Sequence, residues 1–500
     1  MDRLAAAQFR NAACSLQSLQ PKLKHGSAAP ATLGAWLPQK DTARLFPAPR
    51  PVLALLATSL GVLVAQIDTS VVTLAVKHIG ADLGSTVSEM QWMVDSYNLV
   101  YAAFLLTAGV LGDLYGRRRV FVCGIALFSL GSILCAAAPD TAPLLLGRAV
   151  SGLGAALELP MSLVLLTAAY PEEKSRQNAL GIWASCNGLA FIVGPTLGGL
   201  LVDTAGWRSI FYLVLPLCAG ALALAWSAVD ESKDAKGRRL DLPGQAAAIA
   251  VLGGFAFAAI EGPHLGWTSA AVLSAAAVGC VGTIAFVLIE RGTPEGLVPF
   301  ELFRSRPFSA ALAIAGLMTF GMYALLFLMP LYFQTLRDQT PLMAGLSLLP
   351  LSITFVAVSQ LNGPIMRAIG PRATMAAGMA AMGIGALVCG LLAAGTAYWP
   401  VAAALAVVGM GLGLNTAPVN NVAVQNAPRE RSGTASGLLN TARMVGATLG
   451  VALLGAVFAH FAGQTAQVNG FLPGLRAALA LGGIAELAGA AIALRFVRAG

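Results

Sequence analysis

From Pro51 almost to the last residue the chain repeats one pattern: an apolar run of about twenty residues, then a short polar break. A run of that length matches the roughly 30 Å hydrocarbon core of a bilayer. Inside that core a backbone satisfies its own polar groups, as a helix does. Fourteen such runs lie at about 52–76, 92–112, 119–138, 142–169, 178–202, 208–229, 243–260, 268–289, 308–333, 342–362, 373–395, 399–420, 434–459 and 474–495. The seventh is short, which leaves a tilted or re-entrant segment open. Only 11% of residues are charged and 57% are hydrophobic, whereas a soluble domain carries about 25% charged residues. No soluble core could hide this much apolar surface. The expectation is an all-α integral membrane protein with 14 transmembrane helices.

The net charge of +8 raises the question of nucleic acid. Its distribution argues otherwise. With the N-terminus inside, 25 of the 31 Lys and Arg fall on the inner side, and the outer loops hold Lys77, Arg208, Arg337 and Arg476. Positive charge marks the cytoplasmic side. A multi-pass protein of the cell (inner or plasma) membrane with both termini cytoplasmic follows, and no nucleic-acid partner. Cysteines within apolar runs act as small hydrophobes, and the four scattered His offer no metal site. No GxxxxGK[ST] phosphate loop is present, so no ATP and no cofactor are expected. Residues 1–50 are basic and polar; a disordered cytoplasmic tail is expected, with an organelle transit peptide the other reading.

The chain also resembles itself. Gly181 to Gly194 aligns with Gly437 to Gly450 at an offset of 256 residues, and the turn from Gly109 to Arg119 has a reduced echo from Gly363 to Arg372. The first six runs therefore correspond to the last six. The expected division is an N-terminal six-helix bundle at 51–230, two inserted helices with their loops at 231–306, and a C-terminal six-helix bundle at 307–500. Two similar halves with a substrate site between them are the logic of secondary transporters.

The turn GDLYGRRR, with Gly109, Asp113, Gly116, Arg117 and Arg118, resembles the signature of the major facilitator superfamily between helices 2 and 3. In that family the turn is a conformational latch, made in one state and broken in another. Arg148, Ser151, Gly152 and Gly154 resemble the family's helix-4 motif, with Ser151 where Gln is usual. Gly188, Gly194, Pro195, Gly198 and Gly199 resemble the helix-5 motif of proton-coupled exporters; small residues let helices approach and Pro bends one. The acidic motif of helix 1 is matched in part: Asp68 is present, while Ser70, Thr73 and Lys77 depart from it. Pro341 to Pro350 and Gly433 to Gly450 resemble the fourteen-helix drug:proton antiporter branch. The resemblance covers about 52–495 and implies the major facilitator fold, with two extra helices between two six-helix bundles.

Ionisable groups inside membrane helices are expensive and carry a functional hypothesis by default. Asp68 lies roughly 24 Å along its helix and Asp95 about one turn into the next, which predicts both carboxylates in the outer half. A carboxylate in low dielectric trades a proton more readily near neutrality. Asp68 is the expected proton-coupling acid and Arg148, by resemblance, its partner; a merely satisfied polar group is the other reading of Asp68. Asp95 and Glu158 are the candidates for binding a cationic substrate. For Asp95 simple solvation stays open, and for Glu158 pairing with a neighbouring Arg. Arg443 is either functional or a tie to helix-end carbonyls, and Glu486 is either functional or scaffold.

The expected function is proton-gradient-driven efflux of small lipophilic cations by alternating access, by a monomer that is not an enzyme. A narrow exporter of an endogenous metabolite or self-made antibiotic stands beside it, and a membrane receptor or enzyme behind it.

Overall fold

The computed structural model describes residues 50–233, 240–293, 298–391, 393, 395–428, 431–462 and 468–497. The tail expected over residues 1–50 falls outside them, apart from Arg50.

The elements are α1 (Arg50–Leu83), α2 (Val87–Tyr115), α3 (Arg117–Ala137), α4 (Thr141–Ala169), α5 (Glu173–Ala205), α6 (Ser209–Ala228), α7 (Leu242–Leu265), α8 (Ala270–Gly292), α9 (Arg306–Thr335), α10 (Pro341–Ser347), α11 (Leu349–Leu391), α12 (Tyr398–Gln425), α13 (Ser432–Ala462) and α14 (Val468–Phe496). Among the described residues 13 helical stretches are long and apolar enough to cross a membrane. One of them, Pro341–Leu391, has 51 residues. As a single helix it would run about 75 Å, more than twice the bilayer core. Gly370, at φ 76 and ψ 164, breaks it into two crossings, which gives fourteen. The seventh run is no re-entrant stub: α7 has 24 residues, or about 36 Å.

Polar side chains set the starts. Thr86 and Glu89 form a reciprocal capping box on α2, and Asp140, Asp241, Ser269 and Ser305 cap α4, α7, α8 and α9. Each satisfies amide groups that the first helical turn leaves without partners. Several helices outrun their apolar core. Lys77 and Arg476, assigned to loops by hydropathy, lie within α1 and α14.

Packing repeats with a step of eight helices. α1 packs on α4, α5 and α6, and α3 on α4 and α6; α9 packs on α12, α13 and α14, and α11 on α12 and α14. The two sets meet along two seams, α2 with α13, and α5 with α10 and α11, and α1 also touches α9 and α10. The inserted α7 lies over the first seam, against α2 and α13, and carries α8 on its outside. Polar contacts tie it to α2: Trp92 Nε1 donates to Glu261 Oε1 at 2.8 Å, Gln245 Nε2 to the Ala103 carbonyl at 3.0 Å, and Thr107 to Gln245.

Candidate functional site

One end of the bundle, called the latch end because its turn at Gly116 resembles the family's latch, lies opposite the far end, which carries the turns after Leu83, Ala205 and Thr335.

At the latch end Gly116 has φ 107, and a Cβ there would lie 2.6 Å from the Glu231 carboxyl carbon. Glycine is therefore required twice over. Asp113 Oδ1 accepts from Arg117 Nη2 at 3.0 Å. Glu231, from the strand of chain after α6, accepts from the Arg118 and Arg119 amides at 3.0 and 3.2 Å. A carboxylate at the first turn of α3 suits the positive end of a helix. Arg118 Nη1 reaches the Val229 carbonyl at 3.1 Å. Sequence reasoning found the turn but not Glu231, whose only signal was an acid just beyond α6. Close approach belongs to Gly112, where a Cβ would strike Met161 of α4; Gly109 faces open space.

Deeper in, α1 and α4 bring Asp68 and Arg148 together. Nη1 lies 2.5 Å from Asp68 Oδ2, and each side chain is about 1–2% exposed. Arg148 Nε donates to the Met93 carbonyl at 2.9 Å, and its guanidinium lies 4.6 Å from the Tyr97 ring centroid. A buried guanidinium is tolerated only when its donors are matched, and two neighbouring helices, α1 and α2, match this one. Gly131, Gly147 and Gly154 make α3 and α4 nearly touch beside it, with Ser151 in the contact at Gly131. That is why a small residue stands at position 151.

Glu158 sits further along α4, fully buried. Oε2 is 3.9 Å from where a Cβ on Gly61 would be. Neither oxygen has a hydrogen-bond partner, and no arginine among the described residues pairs with it. Asp68 is within electrostatic reach.

Asp95 is buried, which goes against the solvated reading, and it does not meet Asp68. Met93 and Tyr97 turn to Arg148, and two residues along a helix is about 200° of rotation. Asp95 thus points to the opposite side of α2. Gln91, one turn before it, abuts Gly455 of α13, so this is the face of the α2–α13 seam. Its polar neighbour is Asn98.

The helix-5 glycines face two ways from α5, toward α1 and across the second seam. A Cβ at Gly194 would meet Ser70, and one at Gly198 would meet Val71, both on α1; one at Gly199 would meet the Leu342 backbone of α10. Gly188 faces Val356 of α11. Pro195 has no amide to give the carbonyl four residues back, which is that of Phe191. Ser352 Oγ, from α11, donates to that carbonyl at 2.7 Å. Toward the far end Lys77 Nζ donates to the Gln334 carbonyl at 2.7 Å, Gln334 Nε2 to Leu74 at 2.9 Å, and the Leu342 amide to Asp203 Oδ2 at 3.0 Å. These contacts hold the halves together at the far end. A groove of about 420 Å³ at the Gly370 kink is lined by Met366, Arg367, Arg372 and Leu494, remote from the acids described above.

The family model of the Major Facilitator Superfamily matches residues 58–451. The chain belongs to that superfamily. It is a multi-pass membrane transporter and not an enzyme. Among its relatives is "Multidrug resistance protein Stp" of Mycobacterium tuberculosis, 38% identical over 83% of this chain and 77% of that protein. Another is "Tetracenomycin C resistance and export protein" of Streptomyces glaucescens, 32% identical over 83% and 77%. In fold it is similar to a bacterial homolog of the human lysosomal transporter Spinster, with a TM-score of 0.65 at 17% identity, over 90% of this chain and 97% of that one. The fourteen-helix drug-efflux branch read from the motifs is the branch to which these resistance proteins are similar.

Proposed function

We propose that this transporter exports small, lipophilic, positively charged compounds in exchange for protons. The observation that carries the reading is the dry Asp68–Arg148 pair beside an unpaired Glu158. A proton on Asp68 removes the charge that holds Arg148. An arginine without its partner must move or be rematched, and both α2 and α4 are tied to it. Proton binding is thereby coupled to helix position, which alternating access requires. Glu158 supplies a charge for a cation, and Asp95 a second when the α2–α13 seam parts. The bundles 51–230 and 307–500 rock about the glycine seams, with 231–306 riding on one of them, the latch at Asp113 to Arg118 made in one state, and the termini cytoplasmic in a monomer.

A narrower exporter of one antibiotic is the second reading, favoured by the relative whose name specifies tetracenomycin C.

The test uses purified protein in liposomes with an imposed pH gradient and a cationic dye. Wild type should accumulate the dye against its gradient until an uncoupler is added. Asp68→Asn should fold and insert without doing so. Full dye transport by that variant, or transport insensitive to the uncoupler, overturns the coupling assignment.

A further inference from the structure

Arg443 is a half-buried cation inside a membrane helix, and no acid among the described residues pairs with it. It lies on α13 and takes part in none of the ion pairs among the described residues. Its Nη1 meets Asn440 Oδ1 at 3.3 Å. Its Nε and Nη2 are hidden from solvent and have no acceptor. Those two donors form one edge of the planar guanidinium, the fork with which arginine holds two oxygens at once.

The base of the side chain is fixed. Thr319 Oγ1 of α9 donates to the Arg443 carbonyl at 2.6 Å, and Gly446 lets α13 rest against the Gly316 carbonyl. Tyr101 of α2 and Tyr323 of α9 lie within electrostatic reach of the guanidinium. Tyr101 is also within reach of Glu158. Arg443 lies eleven steps from Ser432, the latch-end terminus of α13, and Glu158 eleven steps from Ala169, that of α4. Both therefore sit roughly 16 Å in from the same end. An unpaired base in one half stands at the level of an unpaired acid in the other, and Tyr101 is within electrostatic reach of both.

We propose that the Nε–Nη2 edge of Arg443 binds a planar two-oxygen anion on the transported compound, such as a carboxylate, while Glu158 takes its basic group. The cargo is then amphoteric rather than simply cationic. This rests on the export reading in taking the ligand to be the cargo and Glu158 to be the site of its basic group.

The probes are rhodamine 110, which carries a free carboxylate, and rhodamine 123, its methyl ester. Binding to the purified full-length protein is followed by fluorescence polarisation. Wild type should hold the acid more tightly than the ester. Arg443→Gln should lose about tenfold or more for the acid and less than about twofold for the ester, the scale of one charge-assisted hydrogen-bond pair. Arg443→Lys, which keeps the charge without the fork, should fall between and guards against a folding defect. Equal losses for the two dyes, or a wild type that holds the acid no more tightly than the ester, overturn the proposal; the first outcome makes Arg443 structural. No gradient is involved, so this result and the transport assay stand or fall separately.

Discussion

Arg148 Nη1 lies 2.5 Å from Asp68 Oδ2, across a sequence separation of 80 residues, and water reaches neither side chain. Removing one partner of such a pair leaves a buried charge unanswered, at a cost of about 3–5 kcal/mol. Arg148→Met and Asp68→Asn should each lower the melting temperature in detergent. The double variant should regain much of that loss, because no charge is left uncompensated, and yet remain inactive in dye transport. A double variant as unstable as the sum of the two singles would show that the pair does not act as a unit.

Asp95 lies on the opposite side of α2 from the groups that bind Arg148. Asp68→Asn and Asp95→Asn should therefore combine additively in thermal stability, within about 0.5 kcal/mol. Coupling beyond that would put the two carboxylates in one network, contrary to the helix rotation described above.

Glu231 gathers the first turn of α3 through the Arg118 and Arg119 amides. Glu231→Gln keeps its size and loses its charge. Its turnover in the liposome assay should drop several-fold, while dye affinity changes by less than about twofold, because a latch acts on the conformational equilibrium and not on the binding groups. Gly116→Ala should be worse, since its φ of 107 suits glycine and its Cβ would strike Glu231.

Gly345 of α10 faces the Pro195 carbonyl so closely that a Cβ could not fit. Gly345→Ala should push the far-end seam apart. A cysteine at Gln334, which now reaches across to Leu74, should then react with a water-soluble maleimide about tenfold faster, a shift of some 1.4 kcal/mol in the open population. An unchanged rate would mean that this seam does not govern far-end closure.

Ser352→Ala removes the donor that answers the Phe191 carbonyl freed by Pro195. An unsatisfied buried acceptor costs about 1–3 kcal/mol. Thermal unfolding should show that loss, and Ser352→Thr should restore most of it.

Much of this was open to the sequence because it is local. The apolar runs and the glycines of the Gly116 turn each depend on residues close together in the chain, and the 256-residue echo is a comparison of two such local stretches. Asp68 and Arg148 could each be singled out, since a charge in a membrane helix must be answered. Contacts were another matter. Glu231 looked like part of a linker, and Ser352 like one more small residue in an apolar helix.

By itself, then, the sequence determined the membrane class, the two-fold repeat, the glycine-rich turn at Gly116 and which charges stand inside helices. The tertiary structure decided which charges meet. A helix turns about 100° per residue, so hydropathy places a side chain at a depth but leaves its direction open until neighbouring helices lock the rotation. That is why Asp95, placed beside Asp68 by depth, turns out to face α13. It is also why the sequence shows Arg443 as a charge in a helix but not that its Nε and Nη2 lack acceptors at the depth of Glu158.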